Sequence, residues 1–164
     1  MIDSAAFDAL VGLAQVATGL VGFSALVLAV TGESTPLNAQ QRFQLREMIS
    51  SGLAVVALAF VPVSLSLFGV GGDWVWRSAS GVHLAVMAVA YVVIGRQLAR
   101  IPAPESDAQM RVFAQVTLVA IVLLHLSNIV GWPWPTSGGP FFAALLITLG
   151  ASASNFIRLL MPRL

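Results

Sequence analysis

The chain has 164 residues, 58% apolar and 9% charged, with a formal net charge of +1 and a mean hydropathy of +0.91. Soluble domains run about 45–50% apolar and about 25% charged, so a water-soluble globule is excluded, as is the basic field that holds nucleic acid. Cysteine is absent and all eight basic residues are arginines, which removes disulfides, thiolate metal sites, cysteine or lysine nucleophiles and Schiff-base chromophores.

A bilayer core of about 30 Å needs about 20 apolar residues at about 1.5 Å each, and five runs of that order follow one another. The first covers residues 5–30. The second, 48–70, contains Pro62, a kink tolerated where neighbouring helices satisfy the freed carbonyl. The third covers 79–95, the fourth 112–130 and the fifth 140–160. These runs predict an all-α integral membrane protein: a single transmembrane domain over 1–164, built as a bundle of five transmembrane helices.

Local signals fit those boundaries. Thr35-Pro36 and Asn38 start the second helix in water, with Arg42, Arg46 and Glu47 on a short extension before the membrane. Ser106 and Gln109 form a capping box for the fourth helix. The segment GWPWPTSGGP reads as a turn. The opening MIDSAAFD lacks the basic leader of a cleaved signal, so the first run is expected to be a retained span.

Orientation follows from the arginines. One side holds Arg42, Arg46, Arg96, Arg100, Arg111, Arg158 and Arg163, whereas the other holds Arg77 with Asp3, Asp8 and Asp73. The positive-inside rule then places the N-terminus out and the C-terminus in, with Trp74, Trp76, Trp132 and Trp134 at the outer boundary. The alternative is four spans, with the first segment lying on the surface or forming a re-entrant hairpin.

The first span carries the most organised face. At about 100° per residue, Gly12, Gln15, Thr18, Gly19 and Gly22 lie within about 80° of Asp8, and Phe7, Leu10, Leu13 and Leu20 occupy the other side. Small residues with a few hydrogen-bonding side chains make a close-packing seam between helices. The same face could line a water-filled path in a ring of identical subunits. Asp8 would then form an acidic ring at the outer mouth, Gln15 and Thr18 a polar constriction, and Glu33 an inner acidic ring, an arrangement that selects cations. Both readings are compatible with assembly through this face.

Ionisable groups inside a span mark functional sites by default. His83 and His125 fall at matched outer depth on the third and fourth spans, with Asn128 one turn above His125 and Asp8 at similar depth on the first. Such a His pair beside a carboxylate could sense external pH, relay protons or hold a divalent metal. Alternatively, each imidazole makes one hydrogen bond to a neighbouring helix. The pair also meets the minimum for bis-imidazole haem b, although no further haem-pocket pattern accompanies it. No cofactor is expected, and the identity of any metal stays open.

On the fifth span Ala144, Thr148, Ala151, Ser152, Asn155 and Arg158 lie within about 120°. The expected role is helix packing, with Asn155 meeting Gln97 or Tyr91 of the third span and Arg158 reaching inner-leaflet phosphates. Smooth faces on the second and third spans, including Gly81 and Gly95, favour a homo-oligomer. No hydrolase triad, HExxH helix, phosphate loop or carboxylate pair at membrane depth is present, and enzyme activity is not expected.

Length, five spans and an aromatic belt resemble the tryptophan-rich sensory proteins, which bind porphyrins. That family follows its first span with a lysine-proline-tryptophan-proline-proline order, whereas this chain has TGESTPLNAQQ there and carries WPWP in another loop. The polar first helix with an outer acidic residue is similar in plan to store-operated calcium channels, without a matching motif. No family is assigned. The expectation is a homo-oligomeric channel of a bacterial inner membrane that passes small ions, chiefly cations, along its first helix. A ligand-binding sensor or carrier built on His83, His125 and the tryptophan loops is the alternative, and an accessory subunit or effector the third possibility.

Overall fold

The computed structural model describes residues 2–32, 39–98 and 107–160. Every regular element among them is helical: α1 (Ser4–Gly32), α2 (Ala39–Ala59), α3 (Val61–Leu67), α4 (Asp73–Leu98), α5 (Asp107–Val130) and α6 (Gly138–Leu160). Five stretches are long and apolar enough to cross a membrane, namely Ser4–Val30, Gln41–Leu67, Asp73–Arg96, Val112–Val130 and Gly138–Ile157. This is the architecture of a multi-pass membrane protein. The first is one unbroken helix. Glu33, Thr35, Pro36, Asn38, Arg100, Ser106 and Arg163 lie outside the described residues.

The second span is two helices in series. Proline lacks an N–H and its ring displaces the carbonyl one turn back, so α2 ends at Ala59 and α3 restarts with buried Pro62 in its first turn. Gly69 then closes α3 at φ 83°, with Gly69 N–H donating to Ser66 C=O and Val70 N–H to Leu65 C=O, a left-handed cap that glycine adopts without steric cost. Helix starts precede the apolar runs: α2 begins at Ala39, next to the expected start signal at Asn38, and α4 at Asp73, ahead of the expected span start at residue 79. A helix continues past the hydrocarbon for as long as its first turn is favoured, and Asp73 complements the dipole there.

Contacts between side chains set the helix directions. Ser24 meets Met48 and Val21 meets Gly52, so α1 and α2 run antiparallel. Ser51 with Ser152 and Asn155 with Glu47 make α2 and α6 antiparallel. His83 with His125 and Ser80 with Asn128 do the same for α4 and α5. Helix α6 is the hub, packing against α1, α2, α4 and α5. The main core joins Leu10, Leu13, Ala14 and Ala17 of α1 to Val55 and Leu58 of α2 and to Phe141, Leu145 and Leu149 of α6. In lipid this packing is held by dispersion and by close backbone approach at small residues rather than by exclusion of water.

One consequence of these directions is a bundle with two unlike ends. The start of α2 and the end of α4 bring Arg42, Arg46 and Arg96 to one end, to which the terminal turn of α6 adds Arg158. The start of α4 and the loop before α6 bring the four tryptophans and Arg77 to the other. There Trp76 covers Gly138 and contacts Phe141, while Arg77 lies over the Trp74 ring at 5.8 Å.

Gly52 is the closest point between α1 and α2, since a Cβ there would overlap the Val21 side chain with the Ala17 carbonyl behind it. Val21 is β-branched and stiff in a helix. Gly52→Val should therefore destabilise the protein by about 1–3 kcal/mol through overpacking. Gly150→Ala, where a Cβ meets open space, should be neutral or stabilise by up to about 1 kcal/mol. Thermal unfolding in detergent compares the two, and equal shifts would contradict this packing.

Candidate functional site

Two places on the bundle hold polar groups that the fold itself does not use up. The first is the outward side of α1. Leu10, Leu13, Ala14, Ala17 and Ser24 turn into the core, and Leu20 packs against it. Asp8, Gln15, Thr18, Gly19 and Gly22 lie exposed on the opposite side, with Gly12 half-buried at its margin. The Thr18 hydroxyl is satisfied within its helix by the Ala14 carbonyl at 2.8 Å. Nothing lies within 4 Å of a Cβ built on Gly12, Gly19 or Gly22, so the bundle's own packing does not require glycine at any of them. Each costs helix stability of about 1 kcal/mol relative to alanine. Phe7, expected with the leucines, is exposed, because its position falls at the edge of the buried arc.

The second place lies between α4, α5 and α6. On α4 Ser80 and His83 are three residues apart, and on α5 His125 and Asn128 repeat that spacing. In antiparallel neighbours, positions i and i+3 share a face, so Ser80 meets Asn128 and His83 meets His125 as two rungs. His125 Nε2 and His83 Nδ1 are 2.8 Å apart, the rings stand edge to face with centroids 4.4 Å apart, and both side chains are fully buried. Phe141 of α6 packs edgewise on both imidazoles, at 6.1 and 5.8 Å.

Asn128 ties this site to the loop before α6. Its amide donates to the Ser80 hydroxyl at 3.0 Å. Its side-chain oxygen accepts from Ser137 N–H at 2.9 Å. Its main-chain carbonyl, one of those left open at the end of α5, accepts from the Thr136 hydroxyl at 2.9 Å. The loop turns at Gly131, with φ 77°, and contains a cis Trp132-Pro133 bond.

The outer atoms of the pair are different. His83 Nε2 and His125 Nδ1 are buried and have no hydrogen-bond partner among the described residues. Asp8 does not join them, being exposed on α1. No group of three or more His, Cys, Asp or Glu that could hold a metal occurs among the described residues. A haem iron would require each imidazole to aim a lone pair at the metal from opposite faces of a macrocycle. Here the facing nitrogens share a hydrogen with each other, which is the geometry of a dyad.

The α6 stripe faces α2. Thr148 and Ser152 are buried, the Ser152 hydroxyl meets that of Ser51, and the Asn155 amide donates to the Glu47 carboxylate. Asn155 thus pairs with Glu47 of α2 rather than with Tyr91 of α4, and the Gln97 side chain lies outside the described residues. The reason is that α4 approaches α6 through Trp76, His83 and Phe141, toward the tryptophan end. Arg158 lies on the last turn of α6. Glu47, expected on a watery extension with Arg42 and Arg46, meets Asn155 of α6. Its signal was its helical register with Ser51, four residues on. Ser80 carried a similar signal in its spacing to His83.

Comparisons with protein-family models, curated proteins and solved structures gave no match.

Asn128→Leu preserves bulk while leaving Ser137 N–H and the Ser80 hydroxyl without their partner. It should cost about 1–3 kcal/mol. Ser127→Ala, which removes only a bond within α5 to Leu124 C=O, should cost about 1 kcal/mol or less. A denaturation series in detergent reads both, and the reverse ranking would show that Asn128 does not tie α4, α5 and the loop together.

Proposed function

We propose that this chain is a homo-oligomeric protein of a bacterial inner membrane, N-terminus outside, that passes small cations along a path lined by the outward side of α1. The observation that carries this reading is that Asp8, Gln15, Gly19 and Gly22 are exposed on the side of α1 opposite its buried leucines and alanines. Hydrocarbon offers a carboxylate or an amide no hydrogen bond, and open glycines let a second helix approach closely. Sister copies supply both needs at once. Around a symmetry axis, Asp8 forms a ring at the tryptophan end and Gln15 and Thr18 a polar constriction two to three turns deeper. Carboxylate rings favour cations by replacing hydration oxygens and by charge. Accumulation of arginines at the other end supports a cytoplasmic placement of that end.

Reconstituted in planar bilayers, the protein should conduct. Asp8→Asn should lower the cation-to-anion permeability ratio by a factor of about 3 to 10 at low salt and by less at high salt, where exposed charges are screened. Gln15→Leu should block most of the current. Gly19→Leu should leave the protomer folded, since its Cβ position is open, and lower the assembled mass in detergent. Silent bilayers with wild-type protein, or wild-type current and selectivity in both Asp8→Asn and Gln15→Leu, would overturn the proposal.

A further inference from the structure

We infer that the His83–His125 dyad is a proton-exchange site inside each protomer, independent of any path along α1. The carrying observation is that the two rings bond to each other through His125 Nε2 and His83 Nδ1, while the far nitrogen of each is buried without a partner. One shared hydrogen bond needs one donor and one acceptor. Each neutral imidazole has one N–H and one lone pair, so counting protons fixes the rest. When His125 Nε2–H donates, His125 Nδ1 is a bare lone pair and His83 Nε2 carries an N–H; the opposite tautomers exchange these roles. In either case the dyad presents one acceptor and one donor at its two ends.

A proton arriving at the bare end makes that ring an imidazolium. It passes the shared hydrogen to its partner, which releases its outer hydrogen from the other end. One proton has entered, one has left, and no net charge remains. Both tautomers are now reversed, so the next proton either travels back or waits until both rings turn over. The dyad is therefore an exchanger with two states rather than an open wire, and its two states differ only in which end holds the hydrogen.

The surroundings disfavour a charge that stays on the rings. Helix α5 has no other ionisable group from Val112 to Val130, α6 none from Gly138 to Ile157, and α3 none. Helix α4 adds Asp73 and Arg77 toward the tryptophan end and Tyr91 and Arg96 toward the arginine end. Arg77 precedes His83 by six residues, about 9 Å along the helix. On the remaining helices, Asp8 is exposed on α1, and Arg42, Arg46 and Glu47 sit toward the arginine end of α2. No carboxylate therefore stands beside the rings to hold an imidazolium in place. Phe141, packed edge to face with both rings, neither donates nor accepts a conventional hydrogen bond there.

The test uses the full chain in liposomes, with a pH dye inside and a potassium diffusion potential set by valinomycin. Wild-type protein should acidify the lumen faster than empty vesicles. His83→Asn and His125→Gln place an amide where the facing nitrogen lies, keeping the shared bond while removing the far nitrogen. Both should lower proton flux at least tenfold, whereas Gly150→Ala, whose Cβ position is open, should leave it unchanged. Nitrogen-15 spectra of histidine-labelled protein should show both imidazole tautomers in exchange. Folded variants with wild-type proton flux, wild-type vesicles no faster than empty ones, or a single fixed tautomer would overturn the inference. Joint loss of proton flux and cation current in the two histidine variants would mean that the dyad only supports the fold, and would overturn it too.

Discussion

In hydrocarbon a polar group has no solvent to fall back on, so each one must be met by protein or by whatever the protein carries. This constraint sorts the polar side chains of the bundle into three sets. Those of α2 and α6 meet each other. Those of α4, α5 and the loop before α6 close around Asn128 and leave two imidazole nitrogens over. On α1, Ser24 meets Met48 of α2, whereas Asp8, Gln15 and Thr18 turn away from the chain. The same requirement that organises the first set gives functional meaning to what remains of the other two.

Helix α6 carries most of that organisation. Phe141, Thr148, Ser152 and Asn155 recur at helical spacing along one broad side, so a single element touches the imidazole pair and α2 in turn, directly after the loop whose Ser137 N–H meets Asn128. Its buried leucines and Phe141 meet the inner side of α1 in the main core. The effect is a scaffold in which α1 is anchored by one face alone. The other face remains available, and the dyad is held at a fixed place without being saturated.

How far the sequence reveals this differs by feature. Five spans are plain from runs of apolar residues, and the placing of Asp8, Gln15, Gly19 and Gly22 opposite Leu10, Leu13 and Ala17 on α1 follows from helical periodicity. The start of α4 lies ahead of its apolar run because a helix extends beyond that run where its first turn is favoured, as by Asp73. Matched depth of His83 and His125 follows from topology. Their contact does not, since it depends on which faces α4 and α5 present to each other. Asn155 illustrates the same limit: its polarity signals a partner, but Glu47 becomes that partner only because α2 flanks α6 at the arginine end. Glu47 itself was obscured by the two arginines before it.

The central claim is that the glycine-bearing side of α1 meets its own copies. Because the chain has no cysteine, single introduced thiols report on it without background. In native membranes under mild oxidation, Gln15→Cys should yield disulfide-linked multimers rapidly. Leu123→Cys on the exposed side of α5 should remain monomeric over the same interval. Cross-linking through Leu123→Cys with none through Gln15→Cys would contradict the account.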